Sequence, residues 1–228
     1  LSRGLGDVYK RQMVDGILNT LPELDENEAQ KLAGGVPLIT YRRHRDAPLI
    51  IDFAAGTRTA LSYLNELGHR NIAIIPSDSR ARHGQADPCF AAYREQLDLS
   101  DIPVRVFQAP EGTIQAGYAI ADALFNSDAT AVLAGNDAVA AGLIQWAISR
   151  GIRLPERMSI IGHDDSPLAA MTFPPLTSLR LPIGPIAAHT VQVLMHAIDP
   201  AEAMPEALIL IPELIIRNST SPVSSATN

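Results

Sequence analysis

Between Ala129 and Arg180 the chain runs through a short apolar segment, a helix-length segment and a second short apolar segment, and this alternation constrains the fold more than any other stretch. Ala131–Ala134 reads as a buried strand. Asn136 and Asp137 end it and offer side-chain oxygens to the open N–H groups of a following helix. Val139, Gly142, Leu143, Trp146, Ala147 and Arg150 recur at i, i+3, i+4, i+7, i+8 and i+11, which is one face of a helix. Gly151 stands where a left-handed residue closes a helix, and Pro155 follows shortly. Met158–Gly162 is the next strand, and it stops at His163, Asp164 and Asp165.

A crossover of this length joins parallel strands, whose carboxyl ends lie on one edge of a sheet. Asn136 and Asp164 fall one or two residues past those ends, on the edge where open parallel sheets bind ligands. Asn136, Asp137, Asp164 and Asp165 also suit helix caps and turns, and this unit alone leaves both roles open.

The run from Ala131 to Pro182 resembles the effector-binding domain of the LacI/GalR family of bacterial transcriptional regulators. The family pattern is a strand, then N-D-x-x-A-x-G, met here by Asn136–Gly142. A helix closed by G-(I/L)-x-(V/L)-P follows, met by Gly151–Pro155. Next come G-(F/Y)-D-D and P-P-L-T-(T/S), met by Gly162–Asp165 and Pro174–Ser178. His163 departs from the Phe or Tyr usual at its place and reads as a packing residue. Gly56–Ile75 is similar to a further family segment of helix, L-G-H turn and strand. There His69 reads as structural, satisfying the turn.

The rest of the chain continues the alternation. Strands are expected at Val14–Leu18, Pro37–Tyr41, Leu49–Asp52, Asn71–Ile75 and Val104–Gln108. Helices are expected at Asp25–Ala33, Gly56–Leu67, Cys89–Leu97, Thr113–Phe125 and Ile186–Ala197. Ala207–Ile216 should hold two short strands broken at Pro212. The Ser, Thr and Pro-rich tail from Ser219 to Asn228 reads as disordered. Leu1–Gln12 is polar and aperiodic and is set aside as a non-native or disordered lead.

The expected fold is α/β: a two-lobed, periplasmic-binding-protein-like architecture with parallel sheets. The resemblance implies a first lobe of residues 13–53 plus 183–208 and a second of 54–180 plus 209–218, with a small polar ligand between them. Family members carry two more strand–helix units ahead of Val14, roughly 60 residues at ~30 each. Only twelve residues precede Met13, so the first lobe is expected to be incomplete and to fold poorly alone.

The resemblance also implies the site. Asn136 and Asp164 become polar anchors, since a carboxylate can accept hydrogen bonds from hydroxyls on adjacent sugar carbons. Arg43 matches a family arginine and would donate to hydroxyls or a carboxylate. Leu133 lies near an apolar contact to the ligand. Cys89 stands where the family's ligand-reaching arginine is usual, which removes one expected donor or hands that role to Arg80, Arg82 or His83. The implied function is effector sensing, the effector most often a sugar, in a cytoplasmic homodimer whose helix-turn-helix segment binds operator DNA. The same fold and cleft chemistry serve periplasmic sugar-binding proteins of transport systems, which is the alternative.

Bulk properties agree with this and exclude other classes. The net charge of −7 argues against this segment being the DNA-contacting surface. One cysteine rules out an intrachain disulfide. No apolar run is long enough to span a membrane. No nucleophile elbow, metal-ligand cluster or phosphate-cradling glycine loop points to an enzyme or a cofactor. Adjacent His163 and Asp164 on an extended segment would face opposite ways and could not act together.

Overall fold

The computed structural model describes residues 14–19, 26–40, 49–76 and 105–223. The chain divides into two compact units, residues 1–51 with 183–210 and residues 52–182 with 211–228.

In the first unit, β1 (Ile17–Asn19) pairs in parallel with β2 (Leu38–Thr40), joined through α1 (Glu26–Ala33). Gly34 and Gly35 leave α1 with φ of 60° and 94°, values that favour glycine because it has no Cβ. A second parallel pair joins β3 (Leu49–Ile51) to β9 (Leu208–Leu210). Helix α6 (Ile183–Ile198) buries Ile186, His189, Thr190 and Val193, and Val193 packs with Ile39 of β2. Helix α6 begins three residues before the expected Ile186. The Gly184-Pro185 pair reads as a breaker in sequence, but Pro fits a helix's first turn, where its missing N–H costs nothing.

The second unit is built on a six-stranded sheet in the order β10-β8-β7-β6-β4-β5. The strands are β4 (Ile72–Ile75), β5 (Arg105–Val106), β6 (Ala131–Ala134), β7 (Ser159–Asp164), β8 (Thr177–Arg180) and β10 (Glu213–Ile215). All neighbours are parallel except β10, which runs antiparallel to β8. Four apolar residues in β6, with no polar alternation, are what a strand covered on both faces requires. Ala131 and Leu133 point to one face, where α2 (Phe53–Glu66) supplies Ala60, Leu61 and Leu64. Val132 and Ala134 point to the other, where α3 (Ile114–Phe125) and α4 (Asp137–Ser149) supply Leu124, Phe125, Leu143 and Trp146.

Helix α2 starts at Phe53, three residues before the expected Gly56. Asp52, read as a strand end, is its N-cap and accepts from the Ala55 N–H at 2.8 Å. A short helix α5 (Pro167–Met171), with Pro at its first position, was not anticipated. Helices α3 and α4 pack at glycine: a Cβ on Gly142 would lie 2.1 Å from the Ile114 carbonyl oxygen, and one on Gly117 2.1 Å from that of Val139. Backbone meets backbone there, so α4 is buried on more of its girth than a single stripe.

Ser219 is 1% exposed, which corrects the expectation of a loose tail from that residue. Its Oγ accepts from Thr177 N–H at 2.8 Å and its carbonyl accepts from Ile160 N–H at 2.8 Å. A Ser/Thr-rich composition signals disorder only where its hydroxyls lack buried partners, and these have them. His69 joins the same region. Its Nδ1 is 2.9 Å from Thr130 Oγ1 and its Nε2 is 3.0 Å from the Ser221 carbonyl oxygen. A carbonyl only accepts, so Nε2 carries the proton and Nδ1 accepts from the threonine hydroxyl.

Candidate functional site

Parallel pairing of β6 with β7 and of β7 with β8 sets their carboxyl ends on one edge of the sheet of the second unit. The segments leaving that edge carry Asn136 and Asp137 after β6, and Asp164, Asp165 and Ser166 at and beyond the end of β7. Sequence periodicity ended β7 at Gly162. The strand instead runs through His163 to Asp164.

Asn136 is the N-cap of α4. Its Oδ1 accepts from Val139 N–H at 2.8 Å, and its Nδ2 donates to the Gly112 carbonyl at 3.1 Å. Both ends of the amide serve the fold, and the capping role is filled. Asp137 beside it is 2% exposed. Its Oδ2 accepts from the Ser166 N–H at 2.6 Å and from the Ser166 hydroxyl at 2.9 Å, and its Oδ1 accepts from the Ser178 hydroxyl at 2.6 Å. Burial pushes the Asp137 carboxyl above its ordinary range against these hydrogen bonds, and the charge of Asp164 pushes the same way. One carboxylate therefore ties α4, the start of α5 and β8 into a single rim.

Strand β7 explains the glycine that precedes His163. Ile160 faces α3 and α4, and Ile161 faces α2. Gly162 again faces α4, where a Cβ would stand 2.4 Å from Asp137 Oδ1 and 2.7 Å from Leu176 Cδ2. His163 faces α2, its ring 5.4 Å from that of Phe53 and tilted by 32°. The alternation then breaks. Asp164 has φ 98° and Asp165 has φ 50°, two successive left-handed residues that are not glycine. Such backbone costs energy and persists only where its surroundings hold it.

Asp165 does the holding. Its side chain is 4% exposed and lies 2.7 Å from Arg180 Nε and 2.7 Å from Arg217 Nη1. Its N–H donates to the Ser178 hydroxyl at 3.1 Å. Burial alone would raise this carboxyl, but Arg217 and Arg180 outweigh it and hold it below the usual range. Asp164 takes the opposite environment, with its side chain 47% exposed. The His163 Nδ1 lies 3.0 Å from Asp164 Oδ1. This corrects the expectation that the two side chains face apart: alternation holds for extended backbone, and φ of 98° is not extended.

Among the other sequence-derived site residues, Leu133 is a core residue, 4% exposed among Leu61, Leu64, Ile74 and Ile161. Arg43 and Cys89 lie outside the described residues, as do Arg80, Arg82 and His83. Sequence reasoning noted Asp137 and Asp165 only as caps or turn formers. The signal was the two doublets, Asn136-Asp137 and Asp164-Asp165, in each of which the second member braces the rim. Among the described residues no cluster of His, Cys, Asp and Glu could hold a metal, and no helix is long and apolar enough to cross a membrane.

The pattern of the periplasmic binding protein-like domain family matches residues 61–220. The HTH-type transcriptional regulator MalR of Streptomyces coelicolor is 32% identical over 197 residues, covering 83% of this chain and 57% of its own length. The HTH-type transcriptional regulator DegA of Bacillus subtilis is 29% identical over 235 residues, covering 96% of this chain and 67% of its own. The chain thus spans between about half and two thirds of the curated relatives it matches. Among solved structures, a LacI family transcriptional regulator from Enterococcus faecium with bound ribose superposes with a TM-score of 0.82 at 25% identity, over 97% of this chain and 85% of that one. The CelR–cellobiose complex superposes with a TM-score of 0.74 at 26% identity, over 96% and 69%.

Proposed function

The chain belongs to the periplasmic binding protein-like domain family, in the branch formed by the effector domains of LacI-type regulators, and from that premise we propose that it is the sugar-sensing part of a DNA-binding transcriptional regulator. The observation that carries the reading is the contrast between the two aspartates at the end of β7. Asp165 is buried against two arginines, and Asp164 is turned out on a left-handed backbone with an exposed carboxylate. An exposed acceptor held by a buried brace is what a hydroxyl-bearing ligand needs, because little ordering remains to be done on binding.

Asp164 is the anchor in this reading, and the rim braced by Asp137 positions it. Arg43 and Cys89 remain proposed contributors from segments outside the described residues. Ribose and cellobiose in the related structures favour a sugar as the effector. The chain's acidic balance of −7 leaves operator contact to a helix-turn-helix segment of the kind the relatives' names record. The regulator would act in the cytoplasm as a homodimer. Its ligand would bias the operator-binding state, and operator DNA would change ligand affinity by the same factor.

The test is calorimetric titration of the chain with ribose, cellobiose, lactose and maltose, before and after Asp164→Asn. Binding that weakens by about tenfold or more in the variant supports the reading, since a hydrogen bond to a charged acceptor is worth roughly 1.5–3 kcal/mol. Unchanged affinity removes Asp164 from the site.

A further inference from the structure

Resting on the reading of Asp164 as the ligand anchor, we infer that His163 sets the specificity of the site by occupying one oxygen of the Asp164 carboxylate and leaving the other to the ligand. A free carboxylate at a sheet edge can grip two adjacent hydroxyls, one on each oxygen. Here Oδ1 lies 3.0 Å from the His163 Nδ1. A carboxylate accepts and does not donate, so Nδ1 carries the proton of that hydrogen bond. The imidazole is 6% exposed and packed on Phe53, so it cannot swing away to release the oxygen without opening the contact with α2. The left-handed backbone at Asp164 brings the two side chains together, and the Asp165 brace fixes that backbone.

The ligand class follows. The carboxylate meets a single hydroxyl or N–H flanked by a position that lacks a free donor, such as a glycosidically substituted or deoxygenated carbon. A pair of free vicinal hydroxyls gains less there, because its second donor must share Oδ1 with the imidazole N–H and approach from the side that the ring leaves open. His163 is a positioning residue in this account: it touches the ligand's partner, not the ligand.

The experiment measures affinity of the chain and its His163→Phe and His163→Asn variants for glucose, galactose and ribose and for each of their monodeoxy forms. In the wild type, removing one hydroxyl should cost about tenfold or more and removing its neighbours little. His163→Phe keeps a ring against Phe53 but frees Oδ1, so two adjacent hydroxyls should each become costly to remove. His163→Asn places an amide donor near the position of Nδ1 and should restore the single-hydroxyl profile. A His163→Phe variant with the wild-type deoxy profile overturns the inference while leaving the anchor in place. Affinity unchanged in Asp164→Asn overturns the anchor itself. Nitrogen-15 spectra of the imidazole decide independently of any sugar. An Nδ1–H tautomer that is lost in Asp164→Gly, which keeps the left-handed backbone and removes the acceptor, supports the pairing, and an Nε2–H tautomer in the wild type overturns it.

Discussion

The Asp137 carboxylate and the Ser178 hydroxyl, 2.6 Å apart, join the first residue of α4 to the middle of β8. The same carboxylate holds both the N–H and the hydroxyl of Ser166. Removing it strands three donors at a buried rim. Asp137→Ala should lower stability by about 2–4 kcal/mol, most of it the cost of leaving donors without acceptors. Urea unfolding of the variant against the wild type measures this, and a loss below about 0.5 kcal/mol would show that water replaces the carboxylate freely.

The raised Asp137 carboxyl has a defined pH signature. The folded state binds the extra proton between the ordinary carboxylate range and the raised value. Its contribution is therefore favourable below the unfolded pKa and is lost as pH rises through the folded one. His69 works the other way. Burial lowers its pKa, against the hydrogen bond to the Ser221 carbonyl that raises it. Below about 6.5 the unfolded chain binds the proton and the folded chain resists it, so stability falls as pH drops through that value. Melting temperatures from pH 8 to 5 should decline in the wild type, and the decline should shrink in His69→Gln.

The two aspartates closing β7 separate brace from anchor. Asp165→Asn keeps a residue tolerant of φ near 50° but removes the charge between Arg180 and Arg217. Arg180 is half exposed, so the loss should be modest, about 1–2 kcal/mol at pH 7. The lowered carboxyl contributes stability above the ordinary carboxylate range and gives it up as pH falls through the folded value. The difference between variant and wild type should therefore narrow toward pH 3. A difference independent of pH would mean that the charge is not what holds the turn.

Two glycines make an internal control for helix packing. Gly142→Ala gains helix propensity of roughly 1 kcal/mol but drives a methyl into the Ile114 carbonyl and the Tyr118 N–H, and overpacking of about 1–3 kcal/mol or more outweighs the gain. Gly184→Ala meets open space beyond its chain neighbours, but a Cβ before Pro185 disfavours helical backbone and offsets the gain, so it should change stability by about 1 kcal/mol or less. Chemical denaturation of both should show the larger loss in Gly142→Ala. Equal, small effects would mean that α3 and α4 can separate at little cost.

The parallel order of β6 and β7, the helix of Val139 to Ala147 and the left-handed Gly151 (φ 67°) were legible from spacing alone, because a covered strand and a buried helix face each impose a period. Helix starts were less legible. Asp52 looks like a strand residue until its carboxylate is seen capping α2. Within the site, sequence located the rim but not the division of labour on it. Asn136 and Asp137 are neighbours of similar shape, and only the space above Gly162 decides which is buried. For His163 and Asp164 the rule of alternation itself misled. Nothing in the composition of the turn announces two consecutive left-handed residues, because the arginine that stabilises the second comes from position 217.

Ser219 has a consequence for synthesis. It completes the hydrogen bonding of Thr177, 42 positions upstream, and of Ile160, 59 positions upstream. A nascent chain emerging from the ribosome exposes β7 and β8 well before the residue that seals them is made. The second unit therefore waits on a residue made after its sheet, and a chain stopped shortly before Ser219 would leave the Thr177 N–H and the Ile160 N–H and carbonyl without the partners that satisfy them.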